Sequence, residues 1–440
     1  MSEQKIFAVA GRPILHSRSP QIFNSWFQSE GMNAVYVRLA AGSAEDAVKT
    51  ARAVKLSGMN VTAPFKERIM DFLDGTDTHA ARIGAVNCVV SLGLRLRGYN
   101  TDFLGAVHAL KKNGVNPRSK AVAILGSGGA ARAAAYGLKR SGASRVTLMN
   151  RTEERAQKAS AELGCAYAPF EFADRVVRQS DIVISCIPDL PARLSTYRLK
   201  KNQVWLQADY RNSSSKAGKS QMPCRTLGGL EWLLHQAAPA FSVFTGSKLS
   251  ARLRIAAPGL ALFGRPVDKA NIALVGFMGS GKSTIGRILS ESLDWEFVDT
   301  DQEVERRSGM TVLEIFRKKG EPSFRQMEKS MIGALLPGGR KTVLALGGGA
   351  LLDTETRSLV SRNCLVVWLW VSLEAALGRM DVSSRPILHV ADPGRAAYQA
   401  FAVRRQAYAN TSDLVLNTDI ASPEEIARRI YYEIYQALAG

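Results

Sequence analysis

The sequence predicts an α/β chain of several domains, with glycine-rich loops at the edges of parallel sheets. Three observations carry that prediction. The apolar run Asn271-Ile272-Ala273-Leu274-Val275 leads into Gly276-Phe277-Met278-Gly279-Ser280-Gly281-Lys282-Ser283-Thr284, which reads as strand, glycine turn and helix start. A second apolar run, Ala121 to Leu125, leads into Gly126-Ser127-Gly128-Gly129-Ala130-Ala131 and a helix, and a further strand, Arg145 to Met149, follows after a helix-length gap. The length of 440 residues suits about three domains, each able to bury a core.

Composition narrows the class. Hydrophobic content of 46% and charged content of 22% describe an ordinary globular chain. The segment Met1-Ser2-Glu3-Gln4-Lys5 has no apolar signal region, and the longest apolar run, Cys364 to Val371, is too short to span a bilayer, so no membrane partner is expected. Five scattered cysteines (88, 165, 186, 224 and 364) suit a reducing, cytoplasmic setting without a disulfide framework or zinc site. A net charge of +19 could serve nucleic acid. The positive residues are spread along the chain, however, so a surface for anionic small substrates accounts for it at least as well, and no nucleic-acid partner is expected. No internal repeat appears, and the only low-complexity stretch is the short polar run Ser213 to Ser220.

The loop at 276–284 has the spacing G-x-x-x-x-G-K-[ST] of a phosphate-binding loop. Its glycines admit backbone N–H groups to phosphate oxygens, where a Cβ would stand in the way. Gly279, Ser280, Gly281 and Thr284 line that cradle, Lys282 reaches the β- and γ-phosphates, and the Ser283 hydroxyl can sit on Mg²⁺. A nucleotide kinase core begins with such a loop, so the residues before it must do something else.

The chain opens with a predicted strand, Ile6 to Ala10, then Gly11 to Pro20 leading into a helix. Ser17 and Ser19 can cradle a carboxylate at the positive helix end, although Ser19 alone could serve only as an N-cap. In Asn60-Val61-Thr62-Ala63-Pro64-Phe65-Lys66-Glu67 a strand ends in polar side chains, and Pro64 is predicted to begin a helix. Lys66 in its first turn would oppose the macrodipole, so its placement asks for a reason. Ala85-Val86-Asn87 and Gly98-Tyr99-Asn100-Thr101-Asp102-Phe103-Leu104-Gly105 follow.

These four motifs, in this order, resemble the substrate half of the shikimate dehydrogenase family. The resemblance implies that Ser17 and Ser19 hold the substrate carboxylate and that Thr62, Asn87 and Lys66 meet ring hydroxyls. It makes Lys66 and Asp102 the catalytic pair. The chemistry fits, since reducing a ring ketone needs a proton delivered to the developing alkoxide, and a lysine beside a carboxylate can stabilise and protonate it. Phe23 departs from the family, which usually has His before Asn24; on a helix it is expected only to repack.

In the middle segment, Gly126, Gly128, Gly129 and Ala130 form the dinucleotide loop G-x-G-x-x-A. Where an NAD-binding domain would place an acidic residue, this chain has Asn150-Arg151-Thr152, with Arg155 one turn on. Arginine suits a 2′-phosphate, so NADPH is favoured over NADH. The family resemblance thins at Ser185-Cys186-Ile187-Pro188, where Asn-x-Thr is usual, and at Tyr210, which survives with Gln207, Asn212 and Ser215 in place of the usual neighbours. It recovers over Gly228 to Ala237 and at Phe244-Thr245-Gly246, implying that Gln236 returns to the substrate pocket and His235 is a packing neighbour.

Beyond the phosphate loop, a strand is predicted to end at Asp299-Thr300-Asp301, turning both carboxylates to one site. Gly320-Glu321-Pro322-Ser323-Phe324-Arg325 and Glu328 follow, with Arg325 and Glu328 on one helix face. Gly347-Gly348-Gly349 follows the strand Val343 to Leu346. The set resembles the shikimate kinase family from about residue 270 onward. It implies that Asp301, Arg325 and the three glycines bind shikimate, that Glu328 orients Arg325, and that Asp299 supports Mg²⁺. Arg385 in Arg385-Pro386-Ile387-Leu388 becomes the lid arginine, Arg379 the adenine-side arginine and Arg404 the second carboxylate-binding arginine.

The expectation is therefore an α/β fusion with a shikimate dehydrogenase-like substrate domain (1–102 with about 229–262), a Rossmann NADP-binding domain (103–228) and a P-loop kinase domain (268–440). It would use NADPH, ATP and Mg²⁺ on two consecutive steps, reduction of 3-dehydroshikimate and phosphorylation of shikimate. Two alternatives keep the kinase. One makes the first half an altered quinate/shikimate-type oxidoreductase, the other a shikimate-binding regulatory module without turnover. Pro258-Gly259 and Gly264-Arg265-Pro266 punctuate the junction, so a cut near Arg265 is expected to separate the activities.

Overall fold

The structure, a computed structural model, describes residues 3–187, 197, 199–210, 223–250, 268–336, 341–380, 388 and 391–439. The junction motifs at 258–266 and the polar run 213–220 lie outside these residues. The chain packs as two compact units, one gathering Met1–Pro20, Met32–Leu56 and Phe263–Ala439, the other Gln21–Gly31 and Ser57–Leu262. Packing thus groups the first two strands with the kinase-like segment, a grouping that the linear order of motifs does not reveal.

In the first unit, parallel strands run in the order Glu296–Asp299, Thr342–Ala345, Asn271–Val275, Cys364–Trp370, Leu414–Asn417, Ala34–Ala40 and Lys5–Gly11. Asn271–Val275 and Cys364–Trp370 are buried at every position, as strands covered on both faces must be. That explains why the longest apolar run of the sequence is a strand. Val366, Val367 and Leu369 are fully inaccessible, and burying each such side chain contributes about 1.5–3 kcal/mol. The phosphate loop emerges from the carboxyl end of Asn271–Val275 and feeds the helix Lys282–Leu293.

The second unit holds a six-stranded parallel sheet in the order Arg225–Leu227, Val204–Gln207, Ile182–Ser185, Ala121–Leu125, Arg145–Met149, Ala166–Tyr167. This is the doubly wound dinucleotide order, and its direction of travel reverses between Ala121–Leu125 and Ile182–Ser185, where such sheets bind ligands. The unit also pairs Gly58–Val61, Cys88–Leu92 and Arg95–Tyr99 antiparallel. Phe23 is fully buried against Trp26, Phe27 and Phe244, the apolar packing expected of it.

Two local expectations are corrected. No α-helix begins at Pro64; the chain turns there and forms a short 3₁₀ helix, Arg68–Phe72. The Lys66 carbonyl accepts the Val86 N–H at 2.7 Å, so it is not available to a helical turn. Lys66 therefore opposes no helix dipole. Asp301 likewise does not end a strand: the strand stops at Asp299, which caps the helix Thr300–Ser308 by accepting the N–H groups of Asp301 and Gln302.

Candidate active sites

In the second unit, Lys66 Nζ stands 2.6 Å from Asp102 Oδ2. The other carboxylate oxygen of Asp102 accepts from Asn87 Nδ2 at 2.9 Å, and the Asp102 carbonyl accepts the Trp232 indole N–H. Asn87 Nδ2 also donates to Thr101 Oγ1 and to Gln236 Oε1, while Asn87 Oδ1 accepts the Thr101 N–H at 2.7 Å. Asn87, Asp102 and Gln236 are all buried. The antiparallel strands deliver Asn87, the helix Asp102–Lys112 delivers Asp102 at its first residue, and the helix Gly229–Thr245 delivers Gln236. A buried network whose members bond one another holds the lysine–carboxylate pair in one geometry.

Thr62 is half-buried beside that strand end, its carbonyl accepting the Phe65 N–H. Several supports went unnoticed in the sequence. Asn60 donates to the Asn87 carbonyl, and Asn100 donates to the Ala85 carbonyl while its Oδ1 accepts the Asp102 N–H. All lie inside motifs already quoted, where a buried amide between two site residues was the available signal. His235 lies beside Glu231 and His108, as a packing neighbour does.

The dinucleotide loop lies against the same lysine. A Cβ on Gly129 would come within 2.9 Å of Lys66 Cβ, and Gly126 adopts φ +116° beside Cys186. Only glycine fits both demands. Ala130 follows in the first turn of the helix Gly129–Arg140, whose N-cap is Gly128. Asn150 donates to the Thr152 carbonyl, and Arg151 is exposed at the carboxyl end of Arg145–Met149. Arg155 faces Glu67 at 3.7 Å, whereas no ion pair of Arg151 occurs among the described residues. Burial pushes the Cys186 thiol up to about 12, making it an inert neighbour of the pair. Tyr210 lies where a Cβ on Gly229 would meet its backbone nitrogen.

In the first unit, Ser17 and Ser19 are buried, Ser17 on the turn before the helix Ser19–Ser29 and Ser19 at its first residue. The Ser17 carbonyl accepts Arg38 Nε at 3.0 Å and Nη2 at 2.7 Å.

The phosphate loop opens onto a cleft of about 960 Å³. Gly279 and Gly281 have φ +77° and +82°, and a Cβ on Gly279 would strike the Ala376 carbonyl at 2.6 Å. Lys282 Nζ donates to the carbonyls of Gly276 and Phe277 at 3.0 and 3.1 Å. Ser283 Oγ donates to Asp299 Oδ2 at 2.5 Å. Ser280 Oγ is buried and has no hydrogen-bond partner among the described residues; it lies in the glycine loop, lined also by Thr284.

At the other end of the cleft, Arg325 donates to Glu328 at 2.8 Å and to Glu321 at 3.0 Å. Glu328 is 2% exposed, so this is no surface pair. Burial pushes its carboxyl up to about 7, with Arg325 drawing it back and Asp301 adding to the rise. Its Oε1 has no hydrogen-bond partner among the described residues. A Cβ on Gly347 would collide with both Glu328 and Asp301, one on Gly349 with Arg325, and one on Gly348 would come within 3.1 Å of Arg404. The three glycines thus let Asp301, Arg325, Glu328 and Arg404 close on the turn, in space that a Cβ would take. Thr300 Oγ1 accepts the Gly347 N–H and Tyr408 donates to the Gly348 carbonyl, pinning the glycine turn. Burial lowers the Arg404 guanidinium from its ordinary value. Arg379 donates to Thr418 near Ala421 to Pro423, at the far wall of the cleft. The proposed lid arginine, Arg385, lies outside the described residues, as do Asn212 and Ser215.

Comparison with known proteins divides the chain along its sequence. The profile "Shikimate dehydrogenase substrate binding domain" matches residues 9–89, "Shikimate / quinate 5-dehydrogenase" residues 108–204, and "Shikimate kinase" residues 278–435. A shikimate dehydrogenase (NADP(+)) of Moorella thermoacetica is 35% identical over 259 residues, covering 55% of this chain and 88% of that protein. A shikimate kinase of Pseudomonas syringae pv. tomato is 42% identical over 170 residues, covering 38% of this chain and 96% of that protein. Two solved structures are similar at a TM-score of 0.53: a shikimate dehydrogenase in complex with NADP+, 28% identical over 59% of this chain and 96% of that one, and the Aquifex aeolicus shikimate dehydrogenase, 29% identical over 58% and 97%. The chain belongs to the shikimate dehydrogenase family over its first part and to the shikimate kinase family over its second.

Proposed function

We propose that the chain runs two consecutive reactions, reducing 3-dehydroshikimate to shikimate with NADPH and phosphorylating the shikimate 3-hydroxyl with ATP. The observation that carries the first activity is the Lys66–Asp102 pair at 2.6 Å, abutted by the glycine loop of a dinucleotide sheet. A regulatory module that only bound shikimate would need a carboxylate cradle but no buried proton-transfer pair, and a quinate-type oxidoreductase is disfavoured by the likeness to shikimate dehydrogenases (NADP(+)). Residues 1–102 with 229–262 supply the substrate side, 103–228 the dinucleotide side and 268–440 the kinase.

In the reduction, Ser17 and Ser19 hold the substrate carboxylate, while Thr62, Asn87, Gln236 and Tyr210 address the ring. NADPH supplies the hydride when bound. Lys66 places its ammonium at the carbonyl oxygen, stabilises the charge that develops there and gives up a proton, and Asp102 holds the ammonium in place. Gly126, Gly128, Gly129 and Ala130 admit the pyrophosphate, and Arg151, with Asn150 and Thr152, meets the 2′-phosphate.

In the phosphorylation, the residues fit a nucleotide and a magnesium ion: the orphan Ser280 hydroxyl and the positive-φ glycines form a phosphate cradle. Ser283 and Asp299 offer two oxygens to a magnesium ion, an ion held largely by phosphate and water. Mg²⁺ would neutralise phosphate charge when bound. Lys282 turns to the β- and γ-phosphates, Arg325 and Arg404 hold the shikimate carboxylate, and Asp301 accepts from the attacking hydroxyl. Arg379 covers the adenine side and Arg385 closes over the phosphate.

The test is a coupled assay on the full chain. NADPH oxidation with 3-dehydroshikimate should far exceed that with NADH or with 3-dehydroquinate, and ADP should form with shikimate. Shikimate-dependent ADP release without any NADPH oxidation would leave only the kinase.

A further inference from the structure

The C-terminal helix, Pro423–Ala439, belongs to the kinase-like segment, yet one face of it grips the first strands of the chain within the same compact unit. Glu425, Arg429 and Glu433 are spaced four apart, so they share that face. Glu425 holds Arg429, which pairs with Asp46, and Tyr432 lies under the Arg12 guanidinium. Glu433 does something different. It is 2% exposed, and a single oxygen, Oε2, accepts the backbone N–H groups of both Ile14 and Leu15, at 2.7 and 2.9 Å.

Those two residues start the turn that carries Ser17 and Ser19. The Ile14 carbonyl accepts the Ser17 N–H at 2.9 Å, and the Ser19 N–H points at Ser17 Oγ, 3.4 Å away. A second tie reaches the same turn, because Arg38, which clasps the Ser17 carbonyl, also donates to the Asp413 carbonyl. A buried carboxylate is expensive compared with an apolar side chain of the same volume. Packing alone therefore does not call for Glu433; two adjacent backbone donors with no strand partner do.

We propose that Glu433 is a positioning residue for the reduction: from the kinase-like segment, it sets the Ile14–Ser17 turn that presents Ser17 and Ser19 to the substrate carboxylate. The proposal rests on the reading of those serines as the carboxylate cradle. Because the cradle grips a group remote from the reacting carbonyl, loosening it weakens binding throughout the reaction and shows in KM rather than kcat.

The experiment uses the full chain with Glu433→Met, which keeps the volume without an acceptor, Glu433→Asp, which keeps the charge but falls short, and Glu433→Gln, which keeps an acceptor oxygen. Ser17→Ala serves as the reference. The Met and Asp variants should raise KM for 3-dehydroshikimate by about 10-fold with kcat within about twofold, unchanged KM for NADPH and unchanged kinase constants. Gln should stay close to the parent. If the Met variant does not fold, Asp decides alone. An unchanged KM in Met and Asp while Ser17→Ala raises it overturns the role of Glu433, as does an equal fall in kcat of both activities or failure of Gln to retain KM. An unchanged KM in Ser17→Ala overturns the cradle itself, and the proposal falls with it.

Discussion

The two reactive lysines of this chain stand in different settings. Lys66 is already committed to a carboxylate, in a network where Asp102, Asn87, Thr101 and Gln236 bond one another. Lys282 stands on the glycine loop, its donations including the carbonyls of Gly276 and Phe277, beside a buried Ser280 hydroxyl that has no hydrogen-bond partner among the described residues. The difference follows from the chemistry. A proton must be delivered to one oxygen, so its donor is held rigidly before substrate arrives. A phosphoryl group brings several charges of its own, so the site gathers its donors, Lys282 among them, on a glycine loop that admits phosphate oxygens.

Removing the committed lysine should have the largest effect. Lys66→Ala is expected to lower kcat for 3-dehydroshikimate reduction on the order of 10³-fold while sparing shikimate phosphorylation, read in the same preparation by NADPH absorbance and ADP release. A loss of less than tenfold would mean that the pair is not the proton donor. Lys282→Ala tests the other side. Turnover of the kinase should fall on the order of 10²-fold or more, about 3 kcal/mol of transition-state stabilisation, with NADPH oxidation intact; near-normal phosphorylation would sink the phosphate-loop assignment.

Arg151 sharpens the dinucleotide side. A charge-assisted bond to the 2′-phosphate contributes roughly 1.5–3 kcal/mol, so Arg151→Ala should raise KM for NADPH by at least tenfold and leave that for NADH unmoved. Equal rises for both cofactors would move the specificity elsewhere. The smallest effect concerns Glu328. Its carboxyl titrates at about 7, and only the ionised form makes the full charge-assisted bond to Arg325. At pH 6 only about a tenth would be ionised, so KM for shikimate in the kinase reaction should be several-fold higher there than at pH 8. Glu328→Gln should flatten that profile; an unchanged slope in the variant assigns the titration to another group.

Much of this was legible because both reactions need particular residues at fixed spacings. The glycines of the two nucleotide loops and the three-residue step from Arg325 to Glu328 announce themselves in sequence, while Lys66 with Asp102 came only through the family resemblance. Local geometry was less legible. Pro64 reads as a helix start, but Val86 takes the Lys66 carbonyl from across the fold, and no local pattern reveals that competitor. Asp301 reads as a strand residue because Asp299 precedes it by two, whereas the cap that Asp299 forms has already ended the strand. Least legible were contacts distant in sequence: Glu433 looks like any charged residue of an amphipathic helix until Ile14 and Leu15 are found against it.

The most direct test of the central claim is product analysis with the full chain given 3-dehydroshikimate and NADPH, first alone and then with ATP and Mg²⁺. The account predicts that shikimate accumulates with one NADPH consumed per molecule, and that adding ATP converts it to shikimate 3-phosphate without any other enzyme. If no NADPH is consumed while added shikimate is still phosphorylated, the claim of two consecutive steps on one chain is contradicted.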